Sequence, residues 1–340
     1  MDRTSLYFTG PESVELRETS TTLSDSEVVV ETQVSAISPG TELLIYRGEA
    51  PTDLPADESL DALDGDLSYP LRYGYASVGE VIETGSAVDE EWLGQTVMAF
   101  NPHETRFCAR PSELIPVPED VGPVEMAMYP TVETATNLIL DGAPKMGERV
   151  AVFGAGVVGL STIGILAGFP LSELLVVDPL SSRRDRAKEM GADTTVAPAE
   201  LSTNRWSDLP GPDGADIVYE ISGNPSALDQ ARALAGYDSR IIVGSWYGTK
   251  PTTLALGGEF HRDRISIESS QVSTLSPDLR GRWTYDRRTA VTLDNLESLP
   301  VESLITHHIP FEEAPEAYRL LDQHPAKALQ VLLTYSQSNQ

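Results

Sequence analysis

Short β-branched runs separated by turn residues fill the first 118 positions. EVVVETQVSAI (27–37), SVGEVIETG (77–85), QTVMAF (95–100) and ELIPVPED (113–120) read as strands of a small, curved β domain. Between them, EAPTDLPADESLDALDGDLSY (49–69) carries acid, proline and glycine and reads as a solvated surface excursion. From 123 the period changes. PVEMAMYPTVETATNLILDG has apolar residues at helical spacing and closes at Asp141-Gly142. Alternating units follow: strand RVAVFG (149–154), helix VVGLSTIGILAG (157–168), strand LLVVD (174–178) and helix SRRDRAKEMG (182–191). ADIVYEIS (215–222), a helix over PSALDQARALAG and strand RIIVGS (240–245) continue the theme. Short apolar strands with helices between them predict a parallel sheet covered on both faces. The chain ends with LITHHIPFEEAPEAYRLLD and a strand near ALQVLLTY; Ser336 to Gln340 carry no assigned role. The fold class is therefore α/β, with a small β domain beside a doubly wound parallel sheet.

Composition narrows the setting. At 340 residues, one large or two modest domains are expected. No run approaches 18 apolar residues, and MDRTSLYFTG lacks the pattern of a secretory signal, so no membrane partner is expected. Cys108 is the only cysteine, so a disulfide within the chain is impossible, and a reducing cytoplasm is the simplest location. Acid dominates: 52 Asp plus Glu against 24 Lys plus Arg, a formal net charge of −28. That excess speaks against a nucleic-acid partner. It resembles the acidic proteins of salt-accumulating halophilic archaea, whose self-repulsion is relieved by screening.

The sharpest chemical signal is VAVFGAGVVGLSTIG. Gly154, Gly156 and Gly159 make G-x-G-x-x-G between a predicted strand and a predicted helix. Such glycines permit a tight turn, let backbone approach a pyrophosphate and allow close helix–strand packing. The first helix amides, at Val157 and Val158, then face the phosphates. Asp178 ends the next strand, 24 residues after Gly154, where a carboxylate accepts ribose hydroxyls and repels a 2′-phosphate. NAD(H) is thus favoured over NADP(H), although Arg183 or Arg184 could reach a phosphate if the loop turned back. Packing of a helix on a strand is the bland alternative for the glycines.

Together these residues resemble the medium-chain dehydrogenase/reductase superfamily, the alcohol dehydrogenase fold. The likeness runs through SAISPGTELLIYRG, YPLRYGYASVGEVIETG, the glycine fingerprint and LITHHIPFEEAPEAYRLL, and so spans essentially the whole chain. It is most similar to the group near bacteriochlorophyllide and threonine dehydrogenases. The resemblance implies a GroES-like catalytic domain over 1–132, completed by 296–340, a Rossmann domain over 133–295, a substrate cleft between them, and homodimers or homotetramers. Zinc-dependent relatives carry a cysteine where this chain has Ser38, a histidine–glutamate pair where it has Tyr75 and Ala76, and a third ligand near Pro130. A zinc site needs converging Cys, His or carboxylate groups. No metal is therefore expected, and a lone Cys108 cannot build a four-cysteine lobe. A displaced site of His103, Glu42 and Cys108 is the alternative.

Without zinc, side chains must handle the substrate oxygen. Tyr75 is a candidate by position, against plain packing in the cleft wall. His103, in FNPHETRF, could relay a proton or be a surface-loop histidine. Ser38, Thr41 and Glu42 border substrate and nicotinamide in relatives; Thr41 could orient an oxygen, while Glu42 could instead hold its loop. In GSWYGTK, Gly244 and Ser245 follow a strand and are candidate cofactor contacts. Trp246 and Tyr247 could shape an apolar substrate pocket or pack an interface. His261 and Arg264 could bind an anionic substrate group or anchor a connection. His307 and His308 read as part of a domain connection. The expected function is NAD(P)-dependent hydride transfer between an alcohol/carbonyl substrate and nicotinamide without catalytic zinc. An enone or quinone reductase and a non-catalytic nucleotide-binding protein are the alternatives.

Overall fold

A computed structural model describes residues 1–57, 60–207 and 213–336. The acidic excursion at 49–69 is coil with one short turn of helix, and its residues 58–59 lie outside the described residues, as do 337–340. The chain forms two compact units, one from Met1–Pro130 and Pro300–Gln340, the other from Thr131–Leu299.

The first unit is built on a mostly antiparallel sheet. Its strands lie in the order Ile305–Pro310, Gln330–Thr334, Val28–Ala36, Ser77–Thr84, Thr96–Ala99 and Leu114–Pro116, with Arg106–Ala109 also paired to Val28–Ala36. Only the pair Ile305–Pro310 with Gln330–Thr334 is parallel. An unexpected hairpin, Asp2–Gly10 with Ser13–Ser20, precedes it. Its second strand, SVELRETS, buries no residue fully, so it leaves no apolar alternation to read. Gly79 and Gly85 answer part of the sequence pattern. A Cβ at Gly79 would strike the Glu31 carbonyl, and one at Gly85 the carbonyls of Ser24 and Asp25. Both glycines exist for close approach of neighbouring backbone.

The second unit is a six-stranded parallel sheet in the order Thr194–Val196, Glu173–Val177, Arg149–Phe153, Ala215–Glu220, Ala235–Val243 and Ser266–Ser269. Arg149–Phe153 is buried throughout, as expected for a strand covered on both faces. Strand order reverses between Arg149–Phe153 and Ala215–Glu220, which is where ligands settle in open α/β sheets. The helix expected over 123–142 is instead two, Pro123–Met126 and Tyr129–Gly142. Pro130 lacks an N–H and is tolerated only in a first turn, so it starts the second helix. The sequence pattern also misses the helix Tyr285–Ser298, whose fully buried side chains are only Arg288, Thr292 and Leu296. The two units give the small GroES-like sheet and the Rossmann-type sheet. Among the described residues, no helix is long and apolar enough to cross a membrane.

Candidate active site

Gly154 ends the central strand of the parallel sheet at φ +98°, a conformation open mainly to glycine. A Cβ there would lie 2.7 Å from the Ser222 Cα. Gly159, one turn into the helix, must also lack a Cβ, because it faces the Gly154 carbonyl. Gly156 differs. Its Cβ would meet nothing closer than the Arg183 guanidinium at 4.0 Å, so the space before it is open. The helix Val157–Leu166 has no side-chain cap, leaving its first amides available. A bare helix N-terminus behind an open glycine cradle fits a dinucleotide pyrophosphate. Gly154, Gly156, Val157, Val158 and Gly159 would hold it.

Asp178 is buried beneath this turn, at 3% exposure. Its Oδ2 accepts from the Ala155 N–H at 2.8 Å and its Oδ1 from the Leu180 N–H at 2.8 Å. The carboxylate therefore ties the glycine turn to the next loop. Arg184 donates to the carbonyls of Asp178 (2.8 Å) and Pro179 (3.0 Å), so it clamps that loop. Arg183 turns toward Gly156; burial lowers its pKa, and Asp178 opposes the shift. Gly244 and Ser245 follow the Ala235–Val243 strand, and Ser245 Oγ accepts from the Gly223 N–H at 2.8 Å. Trp246 is 36% exposed. Tyr247 is half-buried and donates its hydroxyl to Glu220, a carboxylate with no exposure that also takes the Ser222 hydroxyl. Burial, then the Glu220 charge, raise the Tyr247 pKa, so its oxygen is engaged as a donor within this unit.

His261 and Arg264 lie elsewhere. Both are exposed and precede Ser266–Ser269, on the edge where the parallel strands begin, whereas Gly154, Ser222 and Ser245 follow their strands. Arg264 Nε pairs with Asp238 Oδ1 at 3.2 Å in a solvated ion pair. The structure thus corrects the expectation that they meet substrate: they sit on the sheet edge opposite the glycine turn.

In the first unit, Ser38 precedes the helix Pro39–Tyr46 as its N-cap, yet its hydroxyl makes no cap bond. It accepts the Tyr75 hydroxyl instead, and Tyr75 Oη lies 3.2 Å from Thr41 Oγ1. The cap role passes to Glu42, whose Oε1 accepts the Ser38 N–H at 2.7 Å. Glu42 Oε2 also takes the Tyr318 hydroxyl and lies 3.1 Å from His103 Nε2. The other ring nitrogen, Nδ1, is 2.7 Å from Ser35 Oγ, which is 2.8 Å from Tyr335 Oη. Glu42, His103 and Tyr318 have no exposure.

A carboxylate only accepts, so His103 Nε2 carries the proton toward Glu42. In neutral His103, Nδ1 accepts from Ser35 and Ser35 from Tyr335; a second proton on the ring would reverse both hydroxyls. His103 is therefore neither a surface-loop histidine nor free to touch substrate. Gly74, at φ +121°, explains the remaining glycine: its Cβ would lie 2.7 Å from the His103 ring. The chain presses onto an imidazole there and aims Tyr75 at Ser38.

Burial of the phenol raises the Tyr75 pKa, against the hydrogen bonds to Ser38 and Thr41, which lower it. Tyr75 thus stays protonated at neutral pH and acts as a donor rather than a base. Sequence reasoning missed Ser35, Tyr318 and Tyr335. Tyr318 carried a signal: it shares a helical face with Ala314, Ala317 and Leu321, all buried, so its hydroxyl needed an internal acceptor. Ser38, Tyr75 and Pro130 offer no zinc-binding set, and among the described residues no three His, Cys, Asp or Glu side chains gather around a metal position.

A profile of the zinc-binding dehydrogenase family matches residues 157–285. D-guloside 3-dehydrogenase of Escherichia coli K12 is 27% identical over 331 residues, covering 91% of this chain and 93% of its own length. The structure of a short chain alcohol dehydrogenase, rspB, from E. coli CFT073 complexed with NADH superposes with TM-score 0.79 at 21% identity, over 98% of this chain and 99% of that one. A zinc-binding dehydrogenase from Sinorhizobium meliloti 1021 bound to NADP gives TM-score 0.77 at 18% identity, with the same coverage. Over nearly its whole length the chain is similar to proteins of the medium-chain dehydrogenase/reductase superfamily. This is an NAD(P)-dependent oxidoreductase that works without catalytic zinc; Ser38, Tyr75 and Pro130 stand where the resemblance would place metal ligands.

Proposed function

We propose that the protein interconverts a secondary alcohol of a sugar or sugar derivative and the matching ketone, with Ser38 and Tyr75 handling the oxygen. The observation that carries this reading is the hydroxyl cluster of Ser38, Tyr75 and Thr41, fixed from behind by buried Glu42. The sugar class follows from D-guloside 3-dehydrogenase, which resembles this chain over nearly its whole length. When bound, the nicotinamide supplies or accepts the hydride.

Ser38 receives the Tyr75 proton in its hydrogen bond, so its own O–H is available to the ketone oxygen. As hydride reaches the carbonyl carbon, the alkoxide takes the Ser38 proton and Ser38 takes that of Tyr75. Solvent then restores the phenol, and the reverse order serves oxidation. His103 acts as a positioning residue through Glu42 rather than by contact. Asp178 favours NAD(H) over NADP(H), and Gly244 and Ser245 complete the cofactor contacts. A cytoplasmic homodimer or homotetramer, adapted to salt, completes the reading.

A panel of glycosides, polyols, ketoses and enones, followed by nicotinamide absorbance, tests it. Turnover of polyhydroxy alcohols or ketones is expected. Turnover of enones alone would replace the alcohol reading with carbon–carbon double-bond reduction.

A further inference from the structure

The anionic-group role once expected of His261 and Arg264 has a better-placed owner. After the strand Ser266–Ser269, from Ser276 into the first turn of the helix Tyr285–Ser298, the chain reads SPDLRGRWTYDRR. Arg280, Arg282, Arg287 and Arg288 thus fall within nine residues of a chain whose net charge is −28. Many arginines elsewhere hold carboxylates: Arg3 and Arg72 pair with Glu104, Arg106 with Glu31, and Arg240 with Glu148. Within the segment only Arg288 does, buried against Glu133 at 2.9 Å. Arg280, Arg282 and Arg287 are exposed, and none forms an ion pair among the described residues.

Local bonds hold these cations together against their repulsion. The Arg282 and Trp283 N–H groups both donate to the Leu279 carbonyl at 2.9 Å. Arg287 folds back, its Nη1 donating to the Arg282 carbonyl at 2.9 Å and its guanidinium lying 4.3 Å from the Trp283 ring centre. The Arg282 side chain makes no hydrogen bond among the described residues. Guanidinium N–H donors are left free to form the bidentate pairs that suit phosphate and carboxylate.

Their location matters as much. Ser270 follows its strand and donates its N–H to the Val243 carbonyl at 2.8 Å, so the segment leaves the same sheet edge as Gly154 and Ser245. Arg288 Nη1 returns to the Val272 carbonyl at 2.6 Å, closing the segment onto that edge. The segment also carries Asp278 and Asp286, but among the described residues neither pairs with Arg280, Arg282 or Arg287, so these exposed guanidiniums keep donors for an external anion.

We propose that Arg280, Arg282 and Arg287 form a site for a phosphate or carboxylate group carried by the substrate. The identity of the carrier rests on the alcohol reading above; the anion site itself does not. Protein saturated with NADH, so that the glycine turn is filled, is titrated calorimetrically at low ionic strength with inorganic phosphate and separately with tartrate. One saturable site per chain is expected, weakened more than tenfold in the Arg282→Gln/Arg287→Gln double variant and unchanged in Arg264→Gln.

Tighter phosphate than tartrate assigns a sugar phosphate; the reverse assigns a sugar acid. If the double variant melts early, Arg282→Gln alone carries the test, with a loss of several-fold. Absence of saturable binding of either anion, or binding that ignores these substitutions, overturns the proposal. Since no turnover is read, failure here leaves the alcohol reading standing, and failure to oxidise sugars leaves the anion site standing.

Discussion

The cofactor cradle and the hydroxyl cluster are built on opposite plans. The cradle is backbone: three glycines, helix amides and one carboxylate, all between Gly154 and Asp178. The hydroxyl cluster is side chains, drawn from Ser35, Ser38, Thr41, Glu42, Tyr75, His103, Tyr318 and Tyr335. A backbone site can be disabled without disturbing the fold wherever it faces open space. A side-chain network cannot, since its buried members depend on one another for hydrogen bonds and buried polar groups are costly to leave unpaired.

The largest effect should come from Gly156→Val. Gly156 has φ −71° and open space before it, so valine fits the fold but occupies the approach of the pyrophosphate. Loss of NADH and NADPH fluorescence enhancement with an unchanged melting temperature is expected. Retained affinity would reduce the fingerprint to a packing turn.

Next comes Tyr75→Phe, which removes the donor to Ser38 while leaving the ring. Turnover of the best ketone should fall about 10²-fold or more, with NADH affinity intact, and equal loss of both would assign Tyr75 a structural role. The raised Tyr75 pKa gives a sign for pH. The proton is present below its folded pKa and lost above it, so reduction should hold through neutrality and fail only above the ordinary tyrosine value of about 10.

Glu42→Ala probes the network as structure. It strands the Ser38 N–H, the Tyr318 hydroxyl and His103 Nε2 together, a loss of about 3–5 kcal/mol of the kind that follows removal of a buried charged partner. Urea unfolding measures it, and a change under 1 kcal/mol would mean that water replaces the carboxylate. The smallest effect is expected from salt. With net charge −28, the melting temperature should decline as salt falls from molar to about 0.1 M, where screening reaches roughly 10 Å. A flat melting curve would show that the carboxylates are spaced without strain.

The two plans also decide what could be read in advance. Gly154, Gly156 and Gly159 announce themselves because the turn they form is local. Ser35 and Tyr335 are 300 positions apart, so nothing in either neighbourhood points to the other. His103 showed its ring but not its burial, which depends on Gly74 lying against it. Arg264 and Ser270 illustrate a subtler limit. They are six residues apart, yet a four-residue strand between them carries the chain from one edge of the sheet to the other. A residue before a parallel strand and one after it look alike in sequence and serve opposite edges. The hairpin Asp2–Gly10 with Ser13–Ser20 was hidden for a different reason, since its second strand buries no residue fully.

The strand Gln330–Thr334 lies inside the first sheet, between Ile305–Pro310 and Val28–Ala36, although it is made almost last. During synthesis the chain emerges from its N-terminal end and domains fold as units. Every strand of the parallel sheet, from Arg149 to Ser269, is then made before Tyr318, Tyr335 and the closing strand exist. The nascent protein can acquire a nucleotide-binding half while the half that holds Ser38 still has an open sheet edge and a Glu42 that lacks the Tyr318 hydroxyl. Ribosomes that stop early would release molecules able to sequester cofactor yet unable to use it. For such molecules the apolar edge at Val28–Ala36 becomes the part that chaperones must cover.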